Sequence, residues 1–293
     1  MKEAFPQVDI ITVNYNGSAC LADYCAGLRA LDYPKERIRL FFVDNGSRDG
    51  SLESMRTCTP GFAVEIVENG RNLGFARANN LILGRASAPY VALLNNDAKV
   101  EPGWLKILVA KLESDPAIGI VSSRQVPKES ERFIEAGTNR TSWCSGGHCV
   151  IRKSVLERAG FFDERFFMYG EDVDLSWRIW LAGFSCVYVP EAVCEHHRTR
   201  DSRYDFRRYY FHVRNSILLR YKYAGALAGF RESMRWTKEA GSRIIRRGLF
   251  SEGFVILEAV LGHVFLILHF LESRRHLINE PDFEAVKRQW IRL

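Results

Sequence analysis

Val8-Asp-Ile-Ile-Thr-Val-Asn-Tyr-Asn-Gly-Ser18 is a short apolar run rich in β-branched residues, cut off by Asn16-Gly17. A run of this length and composition, Val8 to Asn14, reads as a buried strand. Ser18 is placed to cap a helix running to about Leu31, and Tyr33-Pro34 ends it. The same order then repeats. Ile38 to Val43 is a second strand, stopped by Asp44-Asn45-Gly46-Ser47, with Asp49 or Ser51 to cap the next helix. Val64 to Val67 is a third, and Asn72-Leu-Gly leads into a helix to about Arg85. Tyr90 to Leu94 is a fourth, ending in Asn95-Asn96-Asp97. A helix near Gly103–Glu113 and a strand near Ile118–Ser122 complete the alternation.

Repeated strand–helix units with nearly all-apolar strands predict an α/β fold: a mostly parallel, Rossmann-like sheet with helices on both faces. Ligands of such sheets bind beyond the carboxyl ends of the strands. Asn14-Tyr15, Asp44 and Asp97 all fall at such ends, which places three polar clusters on one edge.

Residues 123–143 are polar and poorly periodic, as a surface excursion would be. Gly146 to Arg152 resumes as a strand and Lys153 to Ala159 as a short helix. Then comes Phe161-Phe-Asp-Glu-Arg-Phe-Phe-Met-Tyr-Gly-Glu-Asp-Val-Asp-Leu175, where an aromatic run ends in Gly170 and is followed by Glu171, Asp172 and Asp174. A helical pattern continues through Gly183, with Leu175, Ile179 and Ala182 on one side. Acids in a first helical turn suit the positive end of the helix dipole. They also suit a general base at the mouth of a cleft. Strands near Cys186–Val189 and Ala192–Glu195 follow, and the charged stretch from His196 to Arg203 reads as a mobile loop. From Phe206 the chain turns helical. Residues 254–271 approach the length of a membrane span, but Glu258, His263 and His269 interrupt them, which favours a buried or interfacial helix.

Hydrophobic residues make up 47% of the 293 and charged residues 26%, as in an ordinary globular protein. The net charge of +6 hides an asymmetry: residues 198–293 hold 19 Lys and Arg against 10 Asp and Glu. A basic C-terminal third suits an anionic partner such as lipid headgroups, phosphates or nucleic acid. No nucleic-acid motif accompanies the arginines, so nucleic acid is not expected. The seven cysteines form no Cys-x-x-Cys and read as reduced, mostly buried thiols of a cytoplasmic protein. No basic-then-apolar signal peptide opens the chain.

No Gly-x-Gly-x-x-Gly follows the first strand and no phosphate-binding Gly-x-x-x-x-Gly-Lys-Ser/Thr occurs. Asp44 can accept hydrogen bonds from a ribose or a base, or simply shape a turn. Asp97, flanked by amides, can hold a hard divalent cation, or again form a turn. Asn72, Arg77, Asn79 and Asn80 surround a helix start suited to anions, or serve as caps and a solvated face. His196 gains weight as a ligand only if the sheet brings it to Asp97.

Taken together, these residues resemble the inverting family 2 glycosyltransferases of GT-A fold, and more narrowly the rhamnosyltransferase-like branch of bacterial surface polysaccharide synthesis. The matching pieces are Val13-Asn-Tyr-Asn16, Val43-Asp-Asn-Gly-Ser47 with Asp49-Gly-Ser51, Asn72-Leu-Gly-Phe-Ala-Arg-Ala-Asn-Asn80, Leu93-Leu-Asn-Asn-Asp97 and Gly160 to Leu175. Pro190 before His196, and Arg214-Asn215, complete an ordered set over about residues 8–222. The resemblance implies that Asn14, Tyr15, Asp44, Asn72, Arg77, Asn80 and Asn96 bind the donor. It implies that Asp172 is the base, that Gly146, Gly147 and Glu171 meet the acceptor, and that Asp97 and His196 hold Mg²⁺ or Mn²⁺. The first acid of the family's Asp-x-Asp motif is Asn95 here, so one carboxylate must carry the metal.

The implied architecture is a catalytic domain over 1–205, with a nucleotide-sugar half to about 122 and an acceptor half over 123–205. A helical, basic, membrane-associated region over 206–293 follows. The implied activity moves a sugar, rhamnose from dTDP-rhamnose or another hexose from a nucleotide diphosphate sugar, to a glycan or lipid-linked acceptor. The protein would be peripheral on the cytoplasmic face of the inner membrane, with a homo-oligomer open. The competing readings are a non-catalytic scaffold of the same fold and a sugar nucleotidyltransferase.

Overall fold

Asn14 and Asp44 stand side by side because β1 (Val8–Asn14) and β2 (Ile38–Asp44) pair in parallel, residue for residue, to their last positions. The arrangement is seen in a computed structural model that describes residues 5–129, 132–196 and 206–291. β3 (Ala63–Glu68) pairs with the outer side of β2, and β4 (Tyr90–Leu94) with the other side of β1, both in parallel. β1, β2 and β4 are mostly apolar and buried because helices cover both faces, while the edge strand β3 stays partly exposed.

Beyond β4 the sheet changes character. β5 (Ala98–Val100), β6 (Ile118–Val126), β7 (His148–Arg152) and β8 (Ser185–His196) extend it to eight strands in the order β3-β2-β1-β4-β7-β6-β8-β5. Four of the seven pairings are parallel; β4–β7, β6–β7 and β5–β8 are antiparallel. The sheet is therefore mixed, with its parallel half carrying the expected strand–helix alternation.

The helices are α1 (Leu21–Ala30), α2 (Ser51–Arg56), α3 (Phe75–Leu83), α4 (Trp104–Glu113), α5 (Lys153–Ala159) and α6 (Glu171–Leu181). One face packs α1 and α4 on Ile10, Leu40, Ala92, Val121 and Val187. The other packs α3, α5 and α6 on Ile11, Phe41, Val91, Ile120 and Ile151. A third core joins α6 to α7 (Phe206–Ala224), α8 (Ala226–Arg247), α9 (Phe250–Gly262), α10 (Ile267–Leu277) and α11 (Phe283–Gln289). Trp177 and Phe166 anchor that seam.

Four local expectations need correction. Ser18 does not cap α1: its amide donates to Asp49 Oδ2 (2.8 Å), tying the loop after β1 to the one after β2. The two strands read around Pro190 are one, β8, whose register on β6 shifts between Ser123 and Arg124. The stretch 123–143 is not wholly a surface excursion, since β6 runs on to Val126 and Thr141 and Ser142 are buried. Two of the seven cysteines, Cys25 and Cys58, form a disulfide between α1 and the end of α2, while the other five are buried thiols. The loop read over 196–203 lies, after His196, outside the described residues.

Candidate active site

The carboxyl ends of β1, β2 and β4 converge on one hydrogen-bonded knot. Asn14 Nδ2 donates to Asp44 Oδ1 (2.9 Å), Ser47 Oγ (2.9 Å) and Ser51 Oγ (2.8 Å), and Asn14 Oδ1 accepts from Asn96 Nδ2 (2.5 Å). Asp44 Oδ2 accepts from the amides of Gly46 (3.1 Å) and Ser47 (3.0 Å). Buried polar groups must find partners, and here the strand ends supply one another's. Asn96 reaches Asn14 only because Gly17 lacks a side chain: a Cβ there would sit 1.9 Å from Asn96 Nδ2. Asp49 accepts from Ser18 and Ser51; burial alone would raise its pKa, but these hydrogen bonds hold it down at about 2. Tyr15, beside this knot, is exposed.

Asn45 carries the knot outward. It is buried, accepts from Asn69 Nδ2 (2.8 Å) and donates to Gly74 O (3.2 Å) and Asn72 Oδ1 (3.4 Å). Asn72 thereby joins the cluster. Arg77 and Asn80 turn elsewhere. Arg77 pairs with Glu164 (3.7 Å), and Asn80 clasps Phe162, donating to its carbonyl (2.9 Å) and accepting from its amide (3.1 Å).

Asp97 and His196 do meet. β5 pairs with β8 so that Ala98 opposes His196, which sets His196 Nε2 2.9 Å from Asp97 Oδ1. His196 Nδ1 is buried without a partner. Beyond it lies His148, buried, with Nδ1 2.9 Å from Ser123 Oγ. Burial, then the positive charges of Arg132 and His196, push the His148 pKa down to about 3. Asp97 and His196 are a donor pair suited to a divalent cation. No group of three or more His, Cys, Asp or Glu gathers among the described residues, so a cation held there would complete its shell from a ligand.

The third element is the first turn of α6. Tyr169 and Gly170 both take positive φ, turning the chain sharply into the helix. Asn215 of α7 fixes that turn by donating to Met168 O (2.9 Å) and Tyr169 O (2.6 Å). The three acids then diverge, as about 100° per residue requires. Asp172 Oδ2 accepts from the amide of Gly146 (3.2 Å) and Oδ1 from that of Val173 (2.9 Å). The residue packs against Leu93, Ile120, Ile151, Phe162 and Leu175, and burial raises its pKa despite those two bonds. Glu171 is buried with Oε2 unpartnered; burial first and the Asp172 charge second push its pKa well up. Asp174 is buried too, but Lys222 Nζ (2.6 Å), Arg178 Nε (2.9 Å) and Tyr223 Oη (2.9 Å) surround it. Burial would raise its pKa; the Lys222 and Arg178 charges outweigh that and lower it.

Gly146 lies against Asp172, and Gly147 against Asn95, so the segment before β7 bridges the α6 turn and the end of β4. Sequence reasoning missed Asn45, Gly17 and Arg132. Asn45 was quoted as part of a turn, and only its burial shows a structural tie. Arg132, with a fully buried side chain paired to Glu129 (2.8 Å), lies in the stretch read as surface.

Residues 9–180 match the sequence model described as "Glycosyl transferase family 2". An N-acetylglucosaminyl-diphospho-decaprenol L-rhamnosyltransferase of Mycobacterium tuberculosis is 28% identical over 290 residues, covering 82% of this chain and 91% of that one. A mannosyltransferase of Pyrobaculum calidifontis, solved with GDP-Man and Mn²⁺, superposes with a TM-score of 0.61 at 18% identity, over 99% of this chain and 89% of that one. TarS of S. aureus, residues 1–349, superposes with a TM-score of 0.58 at 15% identity, over 97% and 91%. The eight-stranded mixed sheet with its C-terminal helices is the GT-A fold of these transferases. With the family's sequence pattern running through the strand-end knot, Asp97 and the first turn of α6, the chain is a glycosyltransferase and belongs to glycosyl transferase family 2.

Proposed function

We propose that the chain transfers a hexose with inversion, rhamnose from dTDP-rhamnose in the leading case, to a lipid-linked glycan acceptor during surface polysaccharide synthesis. The observation that carries this reading is the setting of Asp172: a carboxylate packed beside apolar core residues, pKa raised, on a different element from Asp97 and His196. Inverting transfer is one in-line displacement, which needs a base on the acceptor side and neutralisation of the leaving diphosphate on the other.

In this mechanism Asn14, Tyr15, Asp44, Asn72 and Asn96 shape the donor nucleoside site, with Arg77 and Asn80 ordering its far rim. Asp172 takes the acceptor hydroxyl proton as the acceptor oxygen bonds to the sugar carbon and the bond to the diphosphate breaks. Glu171, Gly146 and Gly147 line the acceptor side. Asp97 and His196 would hold Mg²⁺ or Mn²⁺, whose charge offsets that of the departing diphosphate. The catalytic domain spans 1–205, its donor half ending near 122. The basic region 206–293 faces the membrane from the cytoplasmic side. That setting is supported by the mycobacterial relative, whose name gives N-acetylglucosaminyl-diphospho-decaprenol, a lipid-linked sugar, as its acceptor.

The test is transfer by the purified chain from dTDP-, UDP- and GDP-sugars to a short-chain polyprenyl-diphosphate N-acetylglucosamine, with and without EDTA. Metal-restorable transfer of inverted configuration supports the proposal. Absence of turnover with every donor would leave a non-catalytic scaffold, and full activity in chelator would remove the cation.

A further inference from the structure

The C-terminal helices leave a large apolar surface uncovered. Phe265 is 91% exposed, Leu268 81% and Leu261 69%, with Val264 and Phe254 also open to solvent. On α8, Leu227, Phe230 and Met234 form a second exposed stripe at spacings of three and four, and Arg231, Arg235 and Lys238 run beside it. Ser233 Oγ lies 3.2 Å from His263 Nε2, which brings the α8 stripe alongside the turn between α9 and α10.

By length and composition the run Phe250–Leu277 could cross a bilayer. Its packing argues otherwise. Gly253, Ile256, Ala259, His263 and Phe270 are buried against α7 and α8, and the helix breaks at a 3-10 turn over Val264–Leu266. A span would have to pull these groups out of the third core. The exposed, charged Glu258 and Glu272 flank the exposed apex Leu261–Leu268 in sequence, which limits insertion to that apex.

We infer that this face is a monotopic docking surface for an anionic phospholipid bilayer, with Leu261, Val264, Phe265 and Leu268 entering the interface and the α8 basic stripe meeting the headgroups. Apolar insertion combined with Lys and Arg is the signature of in-plane membrane helices. The location supports a lipid rather than a protein partner, and in this the inference rests on the proposed lipid-linked acceptor. Gly262 of α9 lies against the Tyr210 hydroxyl of α7, and the adjacent Phe211 stacks on Phe167 at 4.9 Å, in the segment that leads into Glu171 and Asp172. The docking apex therefore adjoins the acceptor side, where a lipid-anchored substrate would arrive.

The test uses the full chain and sedimentation with phosphatidylglycerol–phosphatidylcholine vesicles, without donor or acceptor. Phe265→Ser with Leu268→Ser should lower partitioning by about tenfold or more. Arg231→Glu with Lys238→Glu should lower it at low salt, about fivefold for each positive charge removed. Unchanged melting temperature shows that these surface variants fold. Turnover of a water-soluble acceptor analogue should be unchanged in both, so loss of docking and failure of the transferase reading give different results. In membranes of cells making the chain, alkaline carbonate should release it; retention would mean a span and overturn the in-plane reading. A parent dimer that the Phe265→Ser, Leu268→Ser change makes monomeric, with vesicle binding unaltered, would assign the face to a second copy and also overturn it.

Discussion

The strand-end knot and the first turn of α6 are both buried and polar, yet they are built on opposite principles. In the knot every oxygen and amide of Asn14 and Asp44 has a partner, so the loops after β1, β2 and β4 are locked together before any ligand arrives. In the α6 turn, Glu171 keeps an unpartnered oxygen, and Asp172 has two amide donors and, among the described residues, no ion pair, only the weaker field of Arg132. Two residues on, Asp174 shows that burial alone does not decide the outcome. It is the most enclosed of the three acids, yet Lys222 and Arg178 neutralise it. In the proposed mechanism, recognition would be served by satisfied groups that do not move, and proton abstraction by a group held at a cost to stability.

The largest expected effect follows from that cost. Asp172→Asn should reduce transfer by roughly 10² to 10⁴ while leaving donor affinity by calorimetry unchanged. It should also raise the melting temperature at neutral pH. A carboxyl whose folded pKa lies above its unfolded value is penalised when ionised, and the penalty is relieved only as pH falls through the folded pKa. By the same sign the acid limb of the parent's pH–rate profile should lie above the ordinary carboxylate range. A lower melting temperature for Asp172→Asn would break the contrast with Asp174.

Asp174→Asn should do the reverse. Removing one partner of a buried ion pair costs about 3–5 kcal/mol; here Arg178 loses its carboxylate and Lys222 keeps only Asp163, at 3.4 Å. In the parent, the depressed Asp174 pKa stabilises the fold above the unfolded carboxylate value, and that contribution is lost as pH falls through the folded value. Denaturant titration of both variants reads this directly. Turnover per folded Asp174→Asn molecule should stay within a few-fold of the parent.

Much of this contrast was legible in the chain. β1, β2 and β4 are mostly apolar runs with Asn or Asp at or just beyond their ends, as buried parallel strands that carry a site at their carboxyl edge look, so the positions of Asn14, Asp44 and Asp97 on one edge followed. Helical spacing alone sets Asp174 and Arg178, four residues apart, on one face to pair. What did not follow depends on contacts distant in sequence. β5 is three residues long and exists because β8 comes back beside it. Lys222 reaches Asp174 only because α7 packs on α6. Asn80 sits in a motif shared with Asn72, yet its amide is taken up by Phe162, which nothing local announces. Cys25 lies on α1 and Cys58 in the loop after α2, 33 residues on, and spacing gave no reason to join them.

A smaller effect should appear at the centre of the knot. Asn14→Ala leaves Asp44, Ser51 and Asn96 each short of a partner. Leaving a buried group unsatisfied costs about 1–3 kcal/mol, so donor affinity should fall roughly tenfold or more. Transfer at saturating donor should change far less. A pure loss of kcat with donor affinity intact would mean that the knot does not shape the donor site.

The finest test places one methyl group on each side. Neither Gly17 nor Gly146 adopts positive φ, so alanine is conformationally allowed at both and the outcome depends on space alone. At Gly17 the new Cβ would lie 1.9 Å from Asn96 Nδ2, and Asn96 must swing off Asn14. That removes one neutral hydrogen bond, so donor KM should rise about fivefold with kcat retained. At Gly146 the Cβ would meet Asp172 Cβ at 3.3 Å and the Phe75 ring at 3.4 Å, so the carboxylate need shift only by a few tenths of an ångström. A misplacement of about 1 Å can cost roughly 10² in rate, so this smaller shift should lower kcat by a few-fold and leave donor KM alone. If Gly17→Ala acts on kcat and Gly146→Ala on donor KM, the two sides have been assigned the wrong way round. If both variants move both constants together, the knot and the α6 turn are one coupled unit, and the division of labour between them does not hold.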